Sequence, residues 1–390
     1  MIFCGAITFG KAQIGAVSNS YLGQPLFVEN FMKKKTKNKL ADVLTLASAA
    51  LIVISIGAGV WVLPRPIFSE DENRPLSPAP TLSADALLSG RFFSALSSFY
   101  ADSVPLRPLL VRAKAVTELS LGKRENNGVL FLEGGALADR CEYADTALLE
   151  QNIDLLCGTH WDAGAAVPRS IDVCADGEYA RHVRDAVYSR LYGEELYLAL
   201  RASAGGGERP YYRTDHHLDA DGAYILYCHI VRQLGEQPYA KADFERQAVS
   251  DSFLGSAYSA GGLLAPRADT LTLMRHEGDL EYEVKCTDPN CSADSIYCFD
   301  FLNKKDKYSV LTGGNHPILT VRKSGEQRKT LLLVKDSFAN AVVPMLCRHF
   351  DLVVYDPRYT SAPLPDCDMS AFVFGIDTLA TTRLSIGEGH

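Results

Sequence analysis

The sequence predicts an α/β domain, a parallel sheet flanked by helices, preceded by one transmembrane helix. Two observations carry this reading. Between residues 330 and 374 the chain runs through an apolar strand pattern at Thr330–Lys335, a helical pattern at Phe338–Phe350, and two further strand patterns at Asp351–Tyr355 and Ala371–Phe374. Strand, helix and strand in that order predict parallel neighbours joined by a right-handed crossover. Near the N-terminus, the 21 residues Val43–Leu63 include no charge. At about 1.5 Å per residue they span roughly 30 Å, the thickness of a bilayer's hydrocarbon core.

The flanks of that apolar run predict its orientation. Lys33, Lys34, Lys35, Lys37 and Lys39 precede it. Lysines beside a span stay in the cytoplasm, which puts the large C-terminal part outside. A cleaved signal peptide is the competing reading, but the run is long for one and no small-x-small site follows it before Pro64. The organisation expected is therefore a cytoplasmic tail at 1–39, a transmembrane helix at 40–63, a proline-rich linker at 64–84 and an extracytoplasmic domain at 85–390. Met32-Lys33-Lys34-Lys35 has the form of a natural start. Residues 1–31 then read as an upstream misread or a floppy cytoplasmic tail.

Composition narrows the class of function. With 47% hydrophobic and 22% charged residues the chain is ordinary globular protein. The net charge is −8, although residues 1–40 hold six lysines against Glu29 alone, so the remainder is more acidic still. An acidic domain excludes nucleic acid as a partner, since phosphate binding needs a basic face. Of ten cysteines, nine follow the apolar run. An exported domain can oxidise some of them, and Cys286, Cys291 and Cys298 are close enough in sequence for one local bridge. The spacings of that cluster are poor for zinc and there is no CxxC pair.

Elements before the α/β segment follow from periodicity and punctuation. Apolar residues at helical spacing predict a helix over 87–100, and a second over Pro108–Leu121 ended by Gly122. Gly128–Leu132 followed by Gly134-Gly135 predicts a strand and tight turn. A helix is expected over 176–201, and another from Asp221 through Val231. Residues 250–310, rich in Gly, Tyr and Ser, read as irregular β structure.

Two stretches concentrate chemistry. Tyr211-Tyr212-Arg213-Thr214-Asp215-His216-His217 offers a carboxylate and an imidazole two residues apart, and Lys335-Asp336-Ser337-Phe338 places a serine where a strand ends and a helix should begin. A serine hydroxyl needs a nearby base to act as a nucleophile. His217 can take the proton, and Asp215 can hold the other ring nitrogen and fix the tautomer. Ser337 sits beyond the carboxyl end of a strand, where open α/β sheets collect function. The competing reading makes Asp336 or Ser337 a simple helix N-cap. His216 should point elsewhere if the segment is extended. For the adjacent histidines the alternative is a metal site, but no further ligand cluster supports a metal, and nothing implies a cofactor. The backbone N–H of Ser337 and the side chain of Asn315, after Gly313-Gly314, are candidate oxyanion donors, against an ordinary turn for Gly-Gly-Asn. Arg358 either orients substrate hydroxyls or forms a salt bridge, and Tyr359 is expected to pack.

The carboxylate–imidazole pair resembles the Asp-x-x-His of SGNH-type hydrolases with one fewer intervening residue. The string Tyr211–His217, then Asp221-Gly222-Ala223-Tyr224, Gly313-Gly314-Asn315-His316-Pro317, Lys335–Asn340, Val343-Pro344, His349-Phe350 and Asp356-Pro357-Arg358-Tyr359 resembles the bacterial DHHW proteins, as does Phe68–Arg74. The resemblance covers roughly residues 65–376. These proteins are similar to periplasmic alginate acetylation proteins, whose SGNH-like domain carries Asp-x-His before Ser. The resemblance implies an SGNH-hydrolase-like sheet, a triad of Ser337, His217 and Asp215, and O-acetyl transfer to, or ester hydrolysis of, exported polysaccharide. One position departs: Leu218 stands where the family usually has Trp, a residue that could line a sugar surface.

The expectation is a single-pass membrane protein whose extracytoplasmic domain moves or removes acetyl groups on a cell-surface polysaccharide. As a transferase it would need a donor delivered across the membrane, by a membrane-bound acyltransferase partner. The alternative is a non-catalytic glycan-binding or assembly protein that keeps the fold. The topology has a direct check. In cells stripped of their outer layers, added protease should digest the chain beyond Leu63, and protection until the membrane is permeabilised would reverse the orientation.

Overall fold

The computed structural model describes residues 39, 41–52, 54–55, 57–59, 66–69, 74–139, 146–174, 190–207, 209–262, 267–287, 293 and 295–387. The chain divides into two compact units, residues 1–65 with 81–105, and residues 66–80 with 106–390. The second therefore takes in part of the segment read as linker. Residues 1–31, the lysines at 33–37, Cys141 and Cys291 lie outside the described residues.

Among the described residues of the first unit one helix, Ala41–Gly59, is long and apolar enough to cross a membrane, with a mean hydropathy of 2.0. It is compatible with a single crossing. The helix expected over 87–100 is two helices, Ala84–Leu88 and Arg91–Ser103. Gly90 divides them at φ 74°, a left-handed conformation that glycine adopts without a Cβ penalty. Ser83 caps the first by accepting from the Ala86 N–H at 3.1 Å.

The second unit holds the strands β1 (Phe68–Ser69), β2 (Arg74–Pro75), β3 (Glu125–Asn126), β4 (Val129–Phe131), β5 (Leu137–Asp139), β6 (Ala163–Val167), β7 (Glu245–Phe253), β8 (Asp269–Arg275), β9 (Tyr282–Cys286), β10 (Ile318–Lys323), β11 (Thr330–Lys335), β12 (Asp351–Tyr355) and β13 (Met369–Gly375). Six of them form the central sheet in the order β6-β13-β11-β12-β10-β9. Neighbours from β6 to β12 are parallel, as the strand–helix–strand pattern predicts. The sheet is nevertheless mixed, because β10 runs antiparallel to both β12 and β9. Only residues 324–329 separate β10 from β11. That link is too short for the crossover a parallel arrangement needs, a dozen residues or more. Strands β7 and β8 form an antiparallel pair of their own, so residues 245–275 are more regular than the composition of 250–310 suggested. Strands β3 to β5 make a small antiparallel sheet.

Strand β11 lies in the middle of the central sheet and is buried from Leu331 to Lys335. Its interior position explains a nearly continuous apolar run rather than alternation. Strand β6 escapes sequence reading because Ala163-Gly164-Ala165-Ala166 has little β propensity. The tertiary context demands small residues there. Gly164 faces Phe372 across the β6–β13 ladder, and a Cβ at Gly164 would fall 2.3 Å from the phenyl ring. The backbone of Gly164 is paired on its outer side by the Gln233 carboxamide, which accepts from the N–H at 3.0 Å and donates to the C=O at 3.1 Å. A side chain thus finishes the sheet edge.

The helix predicted over Phe338–Phe350 is a 3-10 turn, Ser337–Ala341, followed by a short helix, Val343–Leu346. Pro344 explains the break. It has no N–H to donate back to residue 340, but it suits the first turn of a new helix, where it sits. The helix Ala220–Gln233 is capped by Asp219, whose Oδ1 accepts from the N–H groups of Asp221 and Gly222 at 2.9 Å each. Of the segment 176–201, residues 176–189 lie outside the described residues, and a helix runs from Glu194 to Gly205. Helix Arg107–Ser120 matches its expected place, with Gly122 beyond its end at φ 90°. Among the described residues Cys157, Cys174, Cys228, Cys286, Cys347 and Cys367 are free thiols.

Leu333, at 0% exposure in the central strand, should carry a large share of local stability. Leu333→Ala is expected to lower the unfolding free energy by about 2–5 kcal/mol. Leu198→Ala, at a position 56% exposed, should change it by less than ~0.5 kcal/mol. Chemical denaturation of the two variants checks the contrast, and equal losses would contradict it.

Candidate active site

Residues 211–218 form a turn whose ends meet, since Tyr211 pairs with Leu218 in an antiparallel bridge and the Tyr212 N–H donates to the His217 carbonyl at 3.2 Å. Asp269, at the start of β8, clamps the turn from outside. Its carboxylate accepts from the N–H of Arg213 at 2.9 Å, from the N–H of Thr214 at 2.8 Å and from the Thr214 hydroxyl at 2.6 Å. Tyr211 donates its hydroxyl to the Pro168 carbonyl at 2.7 Å. Leu218 is 1% exposed within the hydrophobic core. Position 218 therefore faces the interior, and a Trp there would be a packing residue rather than part of a sugar-binding surface.

The turn delivers Asp215 and His217 to Ser337. Asp215 is 3% exposed. Its Oδ1 accepts from the His217 backbone N–H at 2.9 Å and lies 2.5 Å from His217 Nδ1, while Oδ2 accepts from the Ser256 N–H at 2.7 Å. Burial by itself would raise the Asp215 carboxyl, but the neighbouring imidazoles of His217 and His216 and these hydrogen bonds outweigh it and hold the group well below the usual carboxylate range. An ionised Asp215 requires a proton on His217 Nδ1. Nε2 is then an acceptor, and it lies 2.8 Å from the Ser337 hydroxyl. Burial lowers the pKa of His217 from its ordinary value, His216 beside it adds to the effect, and Asp215 opposes both. The imidazole is thus neutral near pH 7 and able to accept a proton.

Packing fixes the plane of that ring. Tyr308 stacks on it with centroids 4.0 Å apart and planes 12° from parallel, and Phe338 lies tilted at 5.2 Å. His216 does not point away. Its ring is 4.0 Å from that of His217 and it lines the same cavity. The segment bends as a turn here, so the alternation of an extended strand does not apply. His216 Nδ1 lies 2.6 Å from the Ser256 hydroxyl. Asp215, His216 and His217 bring one potential metal-ligand atom each within 4.8 Å. Both ring nitrogens of His217 already face Asp215 and Ser337, so a cation bound through that ring would replace one of these hydrogen bonds.

At the end of β11 the two readings of Asp336-Ser337 separate. Asp336 is the cap. Its Oδ1 accepts from the Phe338 N–H at 2.9 Å and its Oδ2 from the Gly375 N–H at 2.7 Å. Ser337 is left with its hydroxyl directed at His217. A cavity of about 200 Å³ opens over this point, lined among others by His216, His217, Ser256, Asn315, Ser337 and Asn340.

Asn315 and Ser337 share that cavity, whereas Arg358 does not line it. Arg358 instead grips Asp356 with two hydrogen bonds, 2.9 Å from Nε and 2.7 Å from an Nη. Of its two expected roles the geometry supports the salt bridge. Tyr359 is 54% exposed rather than packed. Sequence reasoning passed over Tyr308, Ser256, Asp269 and Asn340. Only Asn340 carried a signal, as the last residue of the Lys335–Asn340 string. Ser256 and Asp269 are far from the motifs in sequence and arrive through the β7–β8 region, while Tyr308 lies just before Gly313, outside the motif, and arrives through the turns before β10.

Comparison with known proteins places these motifs. Residues 184–355 match the DHHW protein family. The resemblance read from the motifs is shown over that segment. No curated protein sequence matches the chain. Among solved structures, a DHHW family protein from Eubacterium siraeum DSM 15702 is 20% identical and superposes with a TM-score of 0.53, over 66% of this chain and 93% of that one. The structure of Bacillus cereus PatB1 with sulfonyl adduct is 19% identical, with a TM-score of 0.49 over 64% and 95%. The O-acetyltransferase domain of Pseudomonas putida AlgJ is 13% identical, with a TM-score of 0.39 over 66% and 93%. The first of these supports the fold.

Gly255 tests how Asp215 is held. A Cβ at Gly255 would fall 2.0 Å from Asp215 Oδ2. Gly255→Ala should therefore displace the carboxylate and weaken its hydrogen bond to His217 Nδ1. The far-downfield proton NMR signal of that bond is the readout. A signal identical to that of the unsubstituted protein would show that Asp215 tolerates the methyl group.

Proposed function

We propose that the chain is a serine acyl-transfer enzyme acting on acetyl esters of a cell-surface polysaccharide, with Ser337 as nucleophile, His217 as base and Asp215 as the group that orients it. One observation carries the reading: Ser337, His217 and Asp215 form an unbroken hydrogen-bonded chain of 2.8 and 2.5 Å, with His217 using one ring nitrogen for each partner. That is the arrangement a hydroxyl needs to lose its proton as it attacks a carbonyl.

In the first half-reaction Ser337 Oγ bonds to the acetyl carbonyl carbon while its proton passes to His217 Nε2. The charge that develops on the carbonyl oxygen falls to the Ser337 N–H and the Asn315 carboxamide, both beside the cavity. Collapse of the tetrahedral species breaks the bond to the leaving oxygen, which takes the proton from His217. In the second half-reaction a sugar hydroxyl or water gives its proton to His217 and attacks the acetyl-serine carbonyl; the bond to Ser337 Oγ breaks, and Oγ takes the proton back from His217. Transfer and hydrolysis differ only in this acceptor. Asp215 stays ionised throughout and stabilises the imidazolium that forms in each half. The acetyl-ester and polysaccharide assignments rest on the motif resemblance to alginate acetylation proteins. With its N-terminus cytoplasmic and this domain outside, the chain meets exported glycan, and a membrane-bound acyltransferase would supply its acetyl groups.

Ser337→Ala in the full chain should reduce turnover of a chromogenic acetyl ester by ~10³-fold or more while leaving the protein folded. Undiminished turnover would exclude Ser337 as nucleophile, and an inactive unsubstituted chain would favour a glycan-binding role. The pH profile provides a second check. The base must be neutral and its pKa is lowered by burial. Activity should therefore hold as pH falls to 6.5, where a free imidazole titrates, and drop only below it. An acid limb centred above 6.5 would contradict a buried His217 as base.

A further inference from the structure

Lys335 is 2% exposed, one of the largest fully buried side chains in the protein, and the reaction just described makes no use of it. Its Nζ lies 2.7 Å from Asn340 Oδ1, 3.1 Å from Asn315 Oδ1 and 3.7 Å from Asp356 Oδ2. We propose that Lys335 is a positioning residue: through Asn340 it fixes the carboxamide of Asn315 with its oxygen turned inward and its NH₂ presented to the cavity beside Ser337. The proposal rests on the catalytic reading above and extends it to the group that prepares the oxyanion site.

The argument is one of hydrogen-bond capacity. An ammonium has three donors and no acceptor. The amide atoms facing Lys335 must therefore be oxygens, on Asn340 and on Asn315 alike. With its oxygen directed at Lys335, Asn340 turns its NH₂ to Asn315 Oδ1 at 3.2 Å and to the Gly314 carbonyl at 3.4 Å. Asn315 Oδ1 thus accepts from two donors, and rotating the amide by half a turn would set its NH₂ against both. A buried mismatch of that kind is unfavourable by several hydrogen bonds. The Asn315 NH₂ then faces the cavity, where a carbonyl oxygen can receive it without reorganisation.

The charge on Lys335 enforces this orientation, and its surroundings limit the pH range over which it persists. Asp356 and Asp336 favour the ammonium, whereas burial and Arg358 oppose it, and burial prevails to lower its pKa to about 8. Above that pH the neutral amine has a lone pair and can accept from an amide NH₂. The Asn315 orientation is then no longer compelled. An alkaline limb near pH 8 follows, separate from the acid limb of His217.

Lys335→Met keeps the length of the side chain and removes its donors. Asp356 would remain paired with Arg358, so no carboxylate is stranded. With the full chain and a chromogenic acetyl ester, Lys335→Met should lower kcat about 10- to 100-fold, change KM little, abolish the limb near pH 8 and leave the acid limb in place. In a double-mutant cycle with Asn315→Ala its effect should largely vanish, because both changes remove the same donor. A purely structural role would reduce the amount of folded enzyme without altering either pH limb. Should Lys335→Met fail to fold, Asn315→Ala decides the matter: the limb near pH 8 must be present in the unsubstituted chain and absent from this variant. Additive losses, or an alkaline limb that survives Asn315→Ala, would overturn the role of Lys335 while Ser337-dependent turnover kept the catalytic reading intact. Absence of Ser337-dependent turnover would overturn both.

Discussion

The hydrogen-bonded burial of Asp215 is the constraint on which the rest of the site depends. A carboxylate removed from water stays ionised only when its oxygens are satisfied. Here three donors from two segments satisfy it: the imidazole of His217, the backbone N–H of the same residue, and the Ser256 N–H. Each bond has a structural consequence. The Ser256 bond draws in the chain after β7, and Gly255 has no side chain because the carboxylate occupies that space. The backbone bond closes the turn. The imidazole bond sets the tautomer and leaves Nε2 for Ser337. Asp269 supports the same turn from the other side with a second carboxylate saturated by donors.

Ser337 arrives by a different route. The central strand β11 carries it to the edge of the sheet on a run of buried residues, and Asp336 takes over the capping task that would otherwise have occupied the serine. Gly375, at the end of the neighbouring β13, donates to Asp336 and leaves room for the Phe338 ring, which a Cβ at that position would meet at 2.4 Å. Phe338 in turn contacts both histidines. The strand end is therefore bonded to its neighbour, packed against the imidazoles and free at its hydroxyl. A short 3-10 turn follows in place of a long helix, so the first free N–H at this point belongs to the local geometry of Ser337 rather than to a long helix dipole.

Behind the serine, buried Lys335, Asn340 and Asp356 and half-buried Asn315 form a polar network with every member engaged. Such networks are favourable only when satisfied throughout, because each unpaired member would carry its full desolvation penalty. Arg358 belongs to this network through Asp356 and is thereby withdrawn from the cavity. The sequence left Arg358 open between substrate and a salt bridge, and the buried carboxylate of Asp356 takes it.

Much of this was legible in the sequence because it is local. The apolar run at Thr330–Lys335, the break after it, and the carboxylate two residues before an imidazole are patterns of neighbouring residues, and backbone geometry turns them directly into a strand, a cap and a paired side chain. The parallel core of the sheet follows from the length of its crossovers. Other features needed the third dimension. Strand β6 is written in alanine and glycine, and only the ring of Phe372 explains why. That β10 pairs with β12 and not with its chain neighbour β11 is set only in the folded sheet. His216 faces the cavity because Asp269 and the Tyr211–Leu218 bridge fold its segment into a turn, and Leu218 faces the core for the same reason. Ser256 and Asp269 come from segments with no motif of their own, and no spacing links them to Ser337, whereas Asn315 already stood out after Gly313-Gly314. The sequence by itself determined which chemical groups are present and the local shapes that hold them. Which groups face one another was decided by the packing of the β7–β8 region and the central sheet, since hydrogen bonds and ring stacking between distant segments depend on distances that only the folded chain sets.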